Sequence, residues 1–185
     1  NAFAASISCR LLGLLFLLTC FHFNGVLAAE TRSPAFDLAN VGDSASLQGH
    51  LDIFLDSSLS MEIKQVLDSG VFESVGNRSY SRPSSESAVW VRFALTNSSP
   101  ESVSRNLVYG TRLTDSVTAY LPNESGGFVA HYAGEDSELV DRQVPLALPV
   151  FELSVSPQEE RIFYLRLVDE SPHPVKLFLK SWPEL

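Results

Sequence analysis

The sequence predicts a mostly β protein, a β-sandwich or jelly roll with one short helix near its N-terminal end. Three observations predict it. Apolar and polar residues alternate in several short runs, the signature of half-buried strands. Polar turn formers separate those runs. Little of the remainder carries a helical period. The 45% apolar content supplies a packed core and argues against a disordered chain.

The chain opens on a segment that reads differently from the rest. Residues 1–29 carry one charge, Arg10, then a mostly apolar stretch over 11–23, then Val26-Leu-Ala-Ala29. A stretch of this length falls short of the roughly 20 residues of a membrane span. Together with small residues before a cut after Ala28, it composes a secretory signal peptide, 1–28. An uncleaved anchor is the competing reading. Leu17-Leu-Thr-Cys20 is a faint lipobox, although Thr before the Cys fits it poorly. Residue 1 is Asn and the one Met is Met61, so a fragment of a longer protein is expected.

Residues 29–46 are small and polar, with Pro34, and read as a flexible lead-in to a domain over 47–183. A weak strand is expected at 47–55. A short helix is expected at 60–67, capped by Ser58 or Ser60, with Glu62 in its first turn. The clearest strand is 88–96. There Val89, Val91, Phe93 and Leu95 share one face, and Trp90, Arg92 and Ala94 the other. Further strands follow at 116–121, with Val117, Ala119 and Leu121 inward, and at 151–155. The strand at 162–168 groups Phe163, Leu165 and Leu167, and another lies at 175–180. Weaker ones are expected at 106–109 and 127–132. Turns fall at Asn97-Ser-Ser-Pro100, at 122–127, at Ser156-Pro157 and at Ser171-Pro-His-Pro174.

Charge and composition exclude several functions. With 13 Lys+Arg against 22 Asp+Glu the net charge is −9, and loss of residues 1–28, which hold one Arg and no acid, makes it −10. Nucleic-acid binding needs clustered cations and is not expected. Both Cys, Cys9 and Cys20, lie in the first 29 residues, so the folded part has no disulfide, zinc ribbon or catalytic thiol. His50, His131 and His173 lack metal-ligand spacing, and no cofactor or metal is expected. No Ser occupies a Gly-x-Ser-x-Gly elbow. Glu159-Glu160 is read as a solvated turn. The sequons at Asn77, Asn97 and Asn123 matter only where exported proteins are glycosylated.

The informative pattern is a repeated aromatic-x-Arg. Trp90-Val-Arg92 and Tyr164-Leu-Arg166 both occupy the phase of their strand that points away from the core. Tyr120 shares that phase, and Arg142 lies in a loop ahead of a strand. A ring stacks on the apolar part of a ligand while a guanidinium forks onto a carboxylate or hydroxyl. Trp90, Arg92, Tyr120, Arg142, Tyr164 and Arg166 are therefore the candidate binding residues. The competing reading pairs each Arg with a neighbouring acid and uses Trp90 to cover a sheet edge.

The order of these motifs resembles the second type of extracellular domain of bacterial seven-transmembrane receptors with diverse intracellular signalling modules (7TMR-DISM). The resemblance runs over about 47–183. Its stretches are a short helix then Phe72, the run 88–97, Leu113 to Tyr120 with a Gly turn, Gly134 with Asp141-Arg142, Phe151-Glu-Leu153 and Phe163 to Leu167. It implies a jelly-roll sensor domain akin to carbohydrate-binding modules. It also implies a periplasmic location ahead of seven membrane helices and a diguanylate cyclase or histidine kinase output, parts absent from this chain. Trp90, Arg92, Asp115, Tyr120, Arg142 and Arg166 match recurrent positions. The His-Arg pair often found after the position of Arg142 is replaced by Leu146-Ala147. The resulting expectation is a non-enzymatic sensor segment for a small solute, a sugar or a carboxylate, that relays occupancy to its own membrane domain and can pair as a homodimer. A free secreted carbohydrate-binding module and a periplasmic protein-interaction domain are the alternatives.

Overall fold

The computed structural model describes residues 32–39, 41–81 and 86–181. The signal-peptide reading of 1–28 lies outside the described residues. Among the described residues, eleven strands form two sheets: β1 (Phe36–Asp37), β2 (Ser44–Ser46), β3 (Asp52–Asp56), β4 (Glu73–Ser74), β5 (Ala88–Thr96), β6 (Val103–Tyr109), β7 (Ser116–Pro122), β8 (Phe128–Ala133), β9 (Val150–Val155), β10 (Glu160–Val168) and β11 (Leu177–Lys180). The α-helix α1 (Ile63–Ser69) lies between β3 and β4, and a 3-10 turn spans Leu139–Asp141.

The larger sheet runs β4-β3-β5-β10-β7-β8, and β1 joins the far end of β5. The smaller sheet runs β2-β11-β6-β9. All pairings are antiparallel except that of β1 with β5. The core between the sheets is the one that strand alternation specifies. Val89, Val91, Phe93 and Leu95 meet Val117, Ala119, Phe163, Leu165 and Leu167 within the larger sheet, and Leu107, Phe151, Leu153, Leu177 and Leu179 of the smaller one close over them. This is a β-sandwich, as the alternation predicts.

The sequence-level boundaries of β5 are reproduced, and those of β7 to β10 are met within a residue or two. Four regions differ. The strand expected at 106–109 starts three residues earlier, at Val103. Part of the lead-in is threaded into the fold rather than loose: β1 pairs with Leu95 and Thr96, β2 pairs with β11, and Leu38 is fully buried. Such two- and three-residue strands are too short to show a period. The strand expected at 47–55 starts at Asp52, because Leu47 to Leu51 turn the corner through Gly49 at φ +92°. The helix begins three residues later than expected. Ser58 serves Asp56 instead: Asp56 Oδ1 accepts the Ser58 amide at 2.9 Å and its hydroxyl at 2.6 Å, Oδ2 accepts the Met61 amide at 3.0 Å, and the Ser60 amide donates to Ser58 Oγ at 3.2 Å. Glu62 takes over the helix N-terminus, its amide donating to Gln65 Oε1 at 2.8 Å.

Two side chains stand in for backbone at the ends of the sandwich. Asn97 is fully buried, and its Nδ2 donates to Glu101, Val155 and Ser156 carbonyls at 2.7, 3.0 and 3.2 Å. Gln143 lies against β9, the edge of the smaller sheet. Its Oε1 accepts the Glu152 amide at 3.0 Å and its Nε2 donates to the Glu152 carbonyl at 3.4 Å.

Candidate functional site

The register places the aromatic-x-Arg pairs against each other. In β5 and β10, Tyr164 is opposite Arg92 and Arg166 is opposite Trp90. Tyr120 of β7 pairs with Tyr164, and Asp52 of β3 pairs with Arg92. Trp90, Arg92, Tyr120, Tyr164 and Arg166 thus share the outer face of the larger sheet, as their strand phase predicts.

That face is not open. Residues 57–72, with α1 among them, fold back across it and build a second core from Val66, Phe72, Ala88, Trp90 and Tyr164, flanked by Phe54, Met61, Ile63, Tyr120 and Phe128. Trp90 is fully buried, and Arg92 and Tyr164 are each 6% exposed. The expected solvent-facing role of these three is corrected accordingly. The chemistry anticipated for a ligand is present, but the partners are internal. Trp90 stacks on Tyr120 with ring centroids 5.3 Å apart. Arg92 Nε and Nη2 reach Asp52 Oδ2 at 3.1 and 3.0 Å, and its guanidinium lies 4.5 Å over the Phe72 ring. Phe128 meets Tyr164 edge to face.

What remains accessible is the rim where the approach to α1 meets β7, β8 and β10. Arg166 is partly exposed, and its Nη2 donates to the Leu59 carbonyl at 2.5 Å. Leu59 itself sits at φ +57°, a strained conformation for a branched side chain. Tyr132 of β8 is 57% exposed, across Thr118 from Arg166. Burial pushes the Tyr120 hydroxyl above its usual range; Tyr132 and Glu62 add to the rise and Arg166 opposes it. Tyr120 is therefore a proton donor at neutral pH. Burial works against ionisation of Asp56, but hydrogen bonds from Ser58 and Met61 and the charge of Arg166 outweigh it and hold its carboxyl below the usual value. The rim combines a fixed cation, a neutral phenol, an exposed ring and the Glu62 carboxylate. Such a set can orient a polar solute by charge and hydrogen bonding. Strand phase alone could not find Tyr132, which enters through the pairing of β7 with β8, or Glu62, which lies in no strand and arrives with the segment that leads into α1.

Arg142 stands apart from this face. It donates to Leu146 O at 2.7 Å, to Ser137 O at 2.9 Å and to Gly134 O, which ties its own loop together. The loop is anchored at Gly134, φ +105°, where an added Cβ would lie 2.6 Å from Asp115 O. Asp115 in turn accepts the Glu170 amide at 3.1 Å.

The model of the 7TMR-DISM extracellular 2 family matches residues 48–181. The chain belongs to this family. As a 7TMR-DISM extracellular domain it is a non-catalytic, extracytoplasmic sensor-type module of membrane receptors. No helix among its described residues is long and apolar enough to cross a membrane. No protein of curated function matches its sequence. Among solved structures, it is similar to a non-crystalline cellulose specific carbohydrate-binding module, CBM28, at 12% identity and TM-score 0.25, over 58% of this chain and 74% of that one. It is also similar to the enzymatically active domain of bacteriophage CBA120 tailspike protein 4, at 11% identity and TM-score 0.28, over 76% of this chain and 19% of that one. Within the 7TMR-DISM extracellular domain, the sequence-predicted residues divide in two: five on the covered face and its rim, and Arg142 at the Asp115–Gly134 corner.

Proposed function

We propose that this domain is the ligand-sensing segment of a bacterial membrane receptor, reached by export through the 1–28 signal and feeding a diguanylate cyclase or histidine kinase. The solute is a small molecule with carboxylate or hydroxyl groups, held at the rim by Arg166 and Tyr120 beside Tyr132. Family membership over 48–181 is the observation that carries the receptor reading. The rim supports the ligand class, because Arg166 is bound there to a carbonyl and to no carboxylate among the described residues. A signal requires that the solute bind two conformations unequally. The α1 segment is the element suited to such a change, since its approach is latched by Arg166 at a strained residue.

A thermal-shift screen of the purified protein against sugars, amino acids and dicarboxylates tests the reading. A ligand present at one hundred times its dissociation constant stabilises by about 2.7 kcal/mol. A saturable hit that Arg166→Ala removes supports the rim. A hit indifferent to Arg166 places the solute elsewhere, and a flat screen turns the reading toward a protein partner.

A further inference from the structure

Cations are scarce in this chain, and most are spoken for. Among the described residues, Arg32, Arg92 and Arg161 pair with carboxylates, and Arg78, Arg105, Arg142 and Arg166 bind carbonyls. Lys64, Arg112, Lys176 and Lys180 have no hydrogen-bond or carboxylate partner among the described residues; Lys64 lies on α1, and the other three collect on the opposite side of the molecule. That side is the outer face of the smaller sheet around β11, remote from the rim. Lys176 and Lys180 are four residues apart and bracket Phe178, which packs against the Val108, Val144 and Val150 cluster and stays partly exposed.

Two hollows flank that ring. One, of about 350 Å³, has Arg78 and Lys176 as its charged lining residues. The other, of about 500 Å³, has Arg112 and Lys180. Neither is lined by an acid, in a chain of net charge −9. The nearest acids in register lie outside: Glu152 beyond Asn106, and Asp43 at the Ser181 end, where its Oδ1 accepts the Ser181 hydroxyl at 3.3 Å. Gly110 keeps the floor open, since a Cβ there would meet Phe178 at 3.3 Å and Lys176 at 3.4 Å.

We infer that this face docks an extended acidic polysaccharide. A sugar ring stacks on Phe178, and carboxylates on either side meet Lys176 with Arg78 and Lys180 with Arg112. The strand rise separates the two lysines by about 13 Å, a span suited to charges that repeat along a polymer and too long for one small anion. The extracellular placement of the family puts polysaccharide, not nucleic acid, within reach. A bilayer is a poorer match, because interfacial binding needs protruding apolar residues and this ring sits between hollows.

Titration of the purified protein with galacturonate oligomers, cello-oligosaccharides of equal length and phosphatidylglycerol vesicles tests the assignment. The expected result is saturable binding of the acidic oligomer alone, weakened by salt. Lys176→Gln with Lys180→Gln should lower affinity about tenfold or more with an unchanged melting midpoint, because neither lysine has a partner to lose. Phe178→Tyr should retain binding, and Arg166→Ala should leave it untouched, which separates this face from the rim. Equal binding of the neutral oligomer, absence of binding, indifference to the lysine changes, or preference for the vesicles each overturns it.

Discussion

Arg92 is the residue at which local pattern and tertiary structure diverge most. Its phase in β5 is read correctly from the alternation of Val89, Val91 and Phe93. Its partner is not, because Asp52 lies forty positions earlier and Phe72 reaches it from a segment whose path no period announces. A buried guanidinium in contact with a buried carboxylate behaves asymmetrically. Removing one member strands the other charge, at a cost of about 3–5 kcal/mol. Arg92→Ala is therefore expected to lower urea stability by that order, or to prevent folding. Arg166→Ala, which removes a partly exposed contact, should cost about 1 kcal/mol or less. Equal losses in the two variants would show that the Arg92–Asp52 pair is no more critical than a surface bridge.

The same contrast recurs at the level of elements. Strands long enough to alternate were legible: β5, β7, β9 and β10 each declare one apolar face, and those faces make the central core. Strands of two or three residues, β1, β2 and β4, carry too few side chains for a period and become strands only through their neighbours. The α1 segment was legible as a helix but not as a cover, because its apolar face is narrow and Val66 is its one fully buried residue. The candidate site inherits that gap, since the five face residues were found by phase while their burial depends on α1. A seven-residue helix has little stability of its own and holds by packing. Amides of α1 are thus expected to exchange with solvent before those of β5 and β10. Val66→Ala should cost about 2 kcal/mol. With Trp182→Phe to isolate Trp90, it should also raise acrylamide quenching of the indole. Unchanged quenching would mean that α1 does not control access to that face.

For the molecule as a whole, protonation acts in one direction on the acid side. Hydrogen bonds from Ser98 and Ala39 hold Asp37 below its ordinary pKa, those from Arg161 and Ser156 do the same for Glu159, and Asp56 is lowered as described. Burial lowers His131. A group depressed in the folded state favours folding above its unfolded pKa and loses that contribution as pH falls through the folded value. Stability should therefore begin to decline below about pH 6.5 as His131 is opposed, and fall further below about pH 4 as the carboxylates protonate. Tyr120, raised by burial, sets a separate loss above about pH 10. Melting midpoints across this range check the sign; a rise on acidification would contradict it. The contact of Gln143 with β9 has a consequence for how separate molecules behave toward one another. A sheet edge is a template on which another chain can add, and the Glu152 peptide is where that template would be read. One carboxamide occupies both of its hydrogen-bonding groups, so growth beyond the last strand meets an end already filled. Gln143→Ala should leave the fold in place yet make concentrated solutions scatter light on standing, as monomers lengthen into oligomers through the uncovered edge.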